Sequence, residues 1–298
     1  MTTLTAARNG PPAVAPGTRL LGEIITWSCS GASIRHLDLV RALRDSSLDE
    51  GVARELAPRH AFSRACRKLA QARIIRQVSE DTKAITFQFT AERRDGDRFA
   101  YELETLLTLD KNTGKVTCGL AGLATLAQEE LDRCIEARTG GDLTRVVQRL
   151  FERKADLFPI REQGGCYFVP QEHAGFVDRV QSFLGCLNGT MGRFPVPAGT
   201  PQGDRSVKEA VAEGLAALIR EHEEAIAGFG EDTRESTLER AAERIPLTRH
   251  KVEAYSCYLA EEKARLEKEL AAASAKLREK VELLAEARPS PSQPAVSE

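Results

Sequence analysis

The chain has 298 residues, enough for two or three domains at the usual ~100–200 residues each. Its 42 Lys+Arg against 44 Asp+Glu leave a formal net charge of −2, so any nucleic-acid surface has to be local and cannot come from overall basicity. No stretch approaches the roughly 18 apolar residues of a spanning helix, and the opening MTTLTAARNGPPAVAPGT has no apolar core of a leader peptide, which predicts a cytoplasmic protein without a membrane partner.

The seven cysteines, Cys29, Cys66, Cys118, Cys134, Cys166, Cys186 and Cys257, are odd in number, scattered and without a C-x-x-C pair, which predicts reduced thiols. Residues 1–17 are rich in Pro, Ala and Gly, and 288–298 in Pro and Ser; both are expected to be disordered tails. Between them three blocks are expected, at 18–118, 120–198 and 206–287.

In the first block, Leu20–Cys29 and Ile34–Leu43 read as short helices. Pro58 opens a third, running to about Arg76, with Phe62, Ala65, Leu69 and Ala72 as its apolar stripe. Ala84–Thr90 alternates as a strand does, ERRDGD supplies a turn, and Phe99–Leu109 and Lys115–Cys118 follow as strands around Asn112-Thr113-Gly114. Three helices and then a β-meander is the order of a winged helix.

The middle block reads as a small α-β-β-α-β domain. It has helices at about 125–138, from Asp142 as N-cap to about Ala155, and at 172–187, with strands at Leu157–Glu162, Cys166–Val169 and Arg193–Val196. Gly164, Gly165, Tyr167, Phe168 and Val169 suit a hairpin turn and its inward face without any ligand. The third block starts a helix at the capping box Ser206–Glu209, with Val207, Val211, Leu215, Leu218, His222, Ile226 and Phe229 on one face. A second helix begins near Asp232 and stops at Pro246. The last runs from about Thr248 to Ala287, roughly 60 Å at ~1.5 Å per residue. Its seam of Leu259, Leu266, Leu270, Ala273, Leu277, Val281 and Leu284 predicts a coiled-coil arm that joins the protein to itself or to a partner; a hairpin back onto the helix at 206–229 competes with that reading. The fold class expected is thus α+β and mostly helical.

Positive charge gathers on the third helix. Between Arg54 and Arg76 stand seven Lys or Arg residues and one acid, Glu55. Arg59, His60, Ser63, Arg64, Arg67 and Lys68 supply the forked, hydroxyl and cationic side chains that a helix in the major groove of double-stranded DNA uses, and Arg93 and Arg94 could contact the backbone as a wing. Against this stands the plain reading of a solvated helix face. Catalytic patterns fail. There is no phosphate-cradling G-x-x-x-x-G-K-[ST], no G-x-S-x-G and no H-E-x-x-H, and the five histidines have no ligand spacing to one another or to a cysteine. Cys166 could act as a nucleophile only with a histidine and an acid brought to it in space. No cofactor and no enzymatic activity are expected.

Residues 20–90, through PRHAFSRACRKLAQARIIRQV followed by ITFQF, resemble the helix-turn-helix and wing of bacterial regulators. Across 140–287, LFPIREQGGCYFVP, TRESTLERAAERI and the long helix are similar to an uncharacterised family of phage, plasmid and bacterial proteins. These resemblances imply a DNA-binding accessory protein of a bacterial assembly tied to mobile elements or phage defence. The alternative is an interaction scaffold or adaptor that docks on a larger machine.

Overall fold

The computed structural model describes residues 17–71, 73–95, 98–161, 163–230, 232–259 and 262–287. The tails expected at 1–17 and 288–298 lie outside these, Gly17 excepted. In chain order the elements begin with β1 (Leu20–Ser28), β2 (Ser33–Arg35), α1 (His36–Asp45), α2 (Pro58–Lys68), β3 (Arg73–Glu80), β4 (Ala84–Asp95), β5 (Arg98–Asp110) and β6 (Val116–Cys118). There follow α3 (Ala121–Glu136), β7 (Ala137–Thr139), α4 (Gly140–Lys154), β8 (Phe158–Pro159), β9 (Tyr167–Pro170), α5 (Ala174–Cys186) and β10 (Thr190–Pro197). The last helices are α6 (Pro201–Ala227), α7 (Glu235–Ala254), α8 (Ser256–Leu259) and α9 (Glu262–Ala287). Of the described residues 56% are helical and 24% lie in strands, and the fold is α+β.

Two compact units interleave in sequence. One comprises Trp27–Lys154 with Phe176–Met191; the other takes the chain up to Thr26, Ala155–Gly175 and the part from Gly192 onward. This division differs from the three consecutive blocks read from composition, because strands of the middle block find their partner in β1.

In the unit built on Trp27–Lys154, β3-β4-β5-β6 form an antiparallel sheet. One of its faces is covered by Ala61, Phe62, Ala65 and Cys66 of α2 and by Ala127, Leu131 and Cys134 of α3, packed on Ile85, Phe87, Phe89, Leu107, Leu109 and Val116. Phe62 meets Phe87 edge-on, with ring centroids 5.6 Å apart. Fully burying such a ring stabilises by about 1.5–3 kcal/mol. The expected helix from Pro58 forms but ends at Lys68. Gln71 adopts a left-handed φ of 49°, and the β-branched Ile74 and Ile75 continue the chain as β3, paired with β4. A second correction concerns the helix expected at Leu20–Cys29, where Leu20–Ser28 is strand β1 of the other unit's sheet. Two helices therefore precede a four-stranded sheet, and the three-helix order of a winged helix is not reproduced.

In the other unit the sheet order is β10-β1-β9-β8. β1 lies antiparallel to β9, Gly22 opposite Pro170 and Ile25 opposite Tyr167. Gly22 is required by close approach, since a Cβ there would stand 2.2 Å from the Val169 carbonyl oxygen. Arg193 Nε and Nη2 donate to Glu23 at 2.5 and 2.6 Å. The expected hairpin forms with Phe158 opposite Phe168, although β8 is shorter than Leu157–Glu162, and Glu162 lies outside the described residues. Its turn places Gly164 and Gly165 at φ 68° and 78°.

Four expectations for the C-terminal helices are corrected. α6 starts at Pro201, ahead of the Ser206 capping box, because proline at the first helical turn gives up no hydrogen bond. α7 passes through Pro246, where burial of Leu238, Ile245 and Val252 and a 2.8 Å bond between His222 Nε2 and Thr248 Oγ1 outweigh a penalty of about 3 kcal/mol. The rod from Thr248 to Ala287 is interrupted, since α7 ends at Ala254 and the short α8 precedes α9. Leu259, Leu266, Leu270, Ala273, Leu277 and Leu284 are buried in one apolar core with Val207, Val211, Leu215 and Ile219 of α6, while Val281 is 37% exposed. The seam read as a surface for self-association or a partner is thus taken up inside the chain, as the competing hairpin reading has it.

Candidate functional site

The cations expected to face DNA on α2 divide into two groups. Arg64 donates from both terminal nitrogens to Asp142 on α4, at 2.7 and 2.6 Å. Asp142 also accepts from the Thr139 amide at 2.9 Å and its hydroxyl at 3.0 Å. Burial alone would raise the Asp142 pKa; the bonds from Arg64 and Thr139 outweigh it and bring it down to about 2. Lys68 Nζ lies 2.6 Å from Glu130 Oε1 on α3. These two side chains brace α2 against its neighbours, and Ser63 beside them is half-buried. Arg59, His60 and Arg67 stay exposed, Arg59 donating to His60 at 3.2 Å and standing 3.7 Å from Glu80. Arg93 on β4 is 3.4 Å from Glu102, and Arg94 is exposed. The turn between them and Arg98 includes Gly96 and Asp97, outside the described residues.

The face of the β3–β6 sheet away from α2 and α3 carries features that periodicity alone misplaces. Along β5, Thr105, Leu107 and Leu109 point into the core, and strict alternation would send Leu103, Tyr101 and Phe99 the same way. A bulge intervenes. Phe89 pairs with Thr105, but Thr90 pairs with Leu103, so Glu104 is an extra residue and the alternation shifts by one. Leu103, Tyr101 and Phe99 then share the face of Thr90, Glu92 and Arg94, with which they pair. Their exposures are 60%, 57% and 57%, and Leu106 on the same face is 44% exposed. Arg76 of β3, opposite Gln88, joins this face, whose hydroxyls and amide interlink through Thr86–Thr108 at 3.0 Å and Gln88–Thr90 at 3.1 Å. The result is an apolar and aromatic row flanked by two guanidinium groups and polar side chains able to accept and donate hydrogen bonds.

A titratable cluster occupies the other unit. The Tyr255 hydroxyl lies 2.6 Å from Asp156 Oδ2, 3.1 Å from Glu172 Oε1 and 3.3 Å from His173 Nε2, and Lys251 Nζ bonds Asp156 Oδ1. Burial, with the two carboxylates beside it, pushes the Tyr255 pKa up. At Asp156 burial also acts to raise the pKa but is outweighed by bonds from His173, Lys251 and Tyr255, which hold the carboxyl below the usual range. These contacts tie the segment after α4 and the turn before α5 to the end of α7, with each group in this set partnered. An adjacent cleft of about 470 Å³ is lined by Thr18–Leu21, Pro170–Glu172 and Tyr258. A second, of about 370 Å³ in the unit with α4, is lined by Trp27–Gly31, Gly140, Gly141 and Thr144; burial raises the pKa of its Cys29 thiol. Among the described residues no group of His, Cys, Asp and Glu is arranged to hold a metal, and no helix is long and apolar enough to cross a membrane.

No curated protein and no solved structure matches the chain. One family model, described as a family of unknown function (DUF6744), matches residues 20–289. With most of its length covered by that model, the chain belongs to this family.

Proposed function

We propose that the protein is a non-catalytic nucleic-acid-binding accessory protein whose binding surface is the open face of the β3–β6 sheet. The observation that carries this reading is the row of Phe99 and Tyr101, more than half exposed on a face that also presents Arg76 and Arg94. Exposed aromatic rings offer π-faces to bases, and guanidinium groups neutralise phosphates and accept the geometry of their paired oxygens. Leu103 and Leu106 extend the apolar contact toward sugars. We extend the proposal to a bacterial assembly tied to mobile elements or phage defence, the setting that the sequence resemblance of 140–287 implies.

A second reading, duplex DNA along α2, has support from Arg59, His60 and Arg67, which are exposed. Arg64 and Lys68 add less to it because carboxylates of the same unit already hold them.

Fluorescence anisotropy with labelled nucleic acids across a salt series tests the proposal. Two cations on the face give a log–log salt slope of about −1.4 for a single strand, and Arg76→Ala/Arg94→Ala brings it toward zero. Unchanged binding in that variant, with a loss in Arg59→Ala/Arg67→Ala, transfers the site to α2. No binding at low salt removes nucleic acid from the account and leaves the open face to a protein partner, as an adaptor.

A further inference from the structure

We infer that the open face takes single-stranded nucleic acid, holding two successive bases unstacked from each other on Phe99 and Tyr101; this rests on the nucleic-acid reading above. The argument is one of spacing. The two aromatics are two residues apart on the same face of β5. At ~3.3–3.4 Å per residue, their attachment points are about 6.7 Å apart. Successive bases in a duplex strand are only ~3.4 Å apart. Neighbouring bases can each cover one ring only by parting from one another, which a paired duplex resists and a flexible single strand permits.

Phe99, Tyr101, Leu103 and Leu106 lie in a row along β5, the first two on a ribbon of β4 and β5 alone beyond the last β3–β4 pair, Arg73 opposite Ala91, and Leu106 where β3 also flanks β4, so a strand can be laid along β5. The register sets Arg94 beside Phe99 and Glu92 beside Tyr101. Phosphate contact is therefore assigned to the Phe99 end and, through Arg76, to the β3 side of the row, while Glu92 repels a phosphate beside Tyr101. A path crossing obliquely from Arg94 to Arg76 satisfies all four positions. Base selection is weak, because every base has a π-face; the sugar is the remaining variable.

The experiment compares the full-length chain on labelled dT12, U12 and a 12-base-pair duplex at the same ionic strength, with Phe99→Ala/Tyr101→Ala and Tyr101→Phe alongside. The expected result is at least tenfold tighter binding of a single strand than of the duplex, at least tenfold loss in the double alanine variant, and retention in Tyr101→Phe. A preference between dT12 and U12 that persists when dU12 replaces dT12 then identifies the sugar. Both substituted side chains are largely exposed, and unchanged circular dichroism verifies folding. Duplex binding equal to or tighter than single-strand binding, indifferent to the double variant but weakened by Arg76→Ala/Arg94→Ala, overturns the single-strand inference and leaves the nucleic-acid reading standing. Binding of none of the three overturns both.

Discussion

Arg73 Nε and Nη2 donate to the two oxygens of Glu104, at 2.5 and 2.8 Å, and Glu104 is the residue that β5 carries in excess of β4. This bidentate pair, between β3 and β5, fixes the place where the sheet's alternation shifts. Distal to it, Phe99 and Tyr101 take the face of their β4 partners, Arg94 and Glu92, and the extra residue is what lets β5 follow β4 in that register.

Two changes of chain length separate orientation from composition. Deleting Glu104 closes the bulge while Leu103 still pairs with Thr90, so single-strand binding is expected within about twofold of the parent. Inserting an alanine between Phe89 and Thr90 also makes the ladder regular, but turns the distal hairpin over, and binding is expected to fall at least tenfold. Equal affinities of the two variants would detach the binding surface from this face.

The Arg64–Asp142 pair is expected to report on stability. Because the folded Asp142 pKa, about 2, lies below its ordinary value of 3.8, its contribution is present above about pH 4 and is lost as pH falls through 2. Screening at its partly wet site reduces this contribution to about 1–2 kcal/mol. Urea unfolding of the parent and of Asp142→Asn should differ at pH 6 and converge near pH 2; a constant gap contradicts the assignment. Arg64→Ala is expected to lower stability by roughly 2–3 kcal/mol, since it leaves a half-buried carboxylate without its charge partner.

Leu270, 1% exposed, lies in the core that α9 shares with α6. Leu270→Ala is expected to cost about 2–5 kcal/mol in chemical denaturation, with no change in mass by analytical ultracentrifugation. A shift of oligomeric state at unaltered stability would return this seam to the outside of the protein.

Much of this architecture is legible in the sequence, and the failures have specific physical causes. Pro58, the alternation of Ala84–Thr90 and the Gly164-Gly165 turn each declare their element by local chemistry. The spacing of Leu259 to Leu284 correctly marks one buried face, yet periodicity does not say whether that face meets another molecule or α6 of the same chain. Leu20–Ser28 is misjudged because its long-range partner, β9, supplies the ladder that makes it a strand. On α2, charge is visible in the sequence, but the carboxylates that engage Arg64 and Lys68 come from helices far along the chain. The open-face row is missed for a subtler reason. A bulge leaves no fixed residue signature, and counting by twos carries Phe99, Tyr101 and Leu103 into the core.

Ultraviolet cross-linking of the full-length protein to dT12, followed by peptide mass spectrometry, tests the location of the binding surface most directly. The account predicts adducts on the β5 peptide at Phe99 and Tyr101, lost when both are alanine. Adducts confined to the α2 peptide around Arg59, His60 and Arg67 would contradict it and place the nucleic acid on the opposite layer.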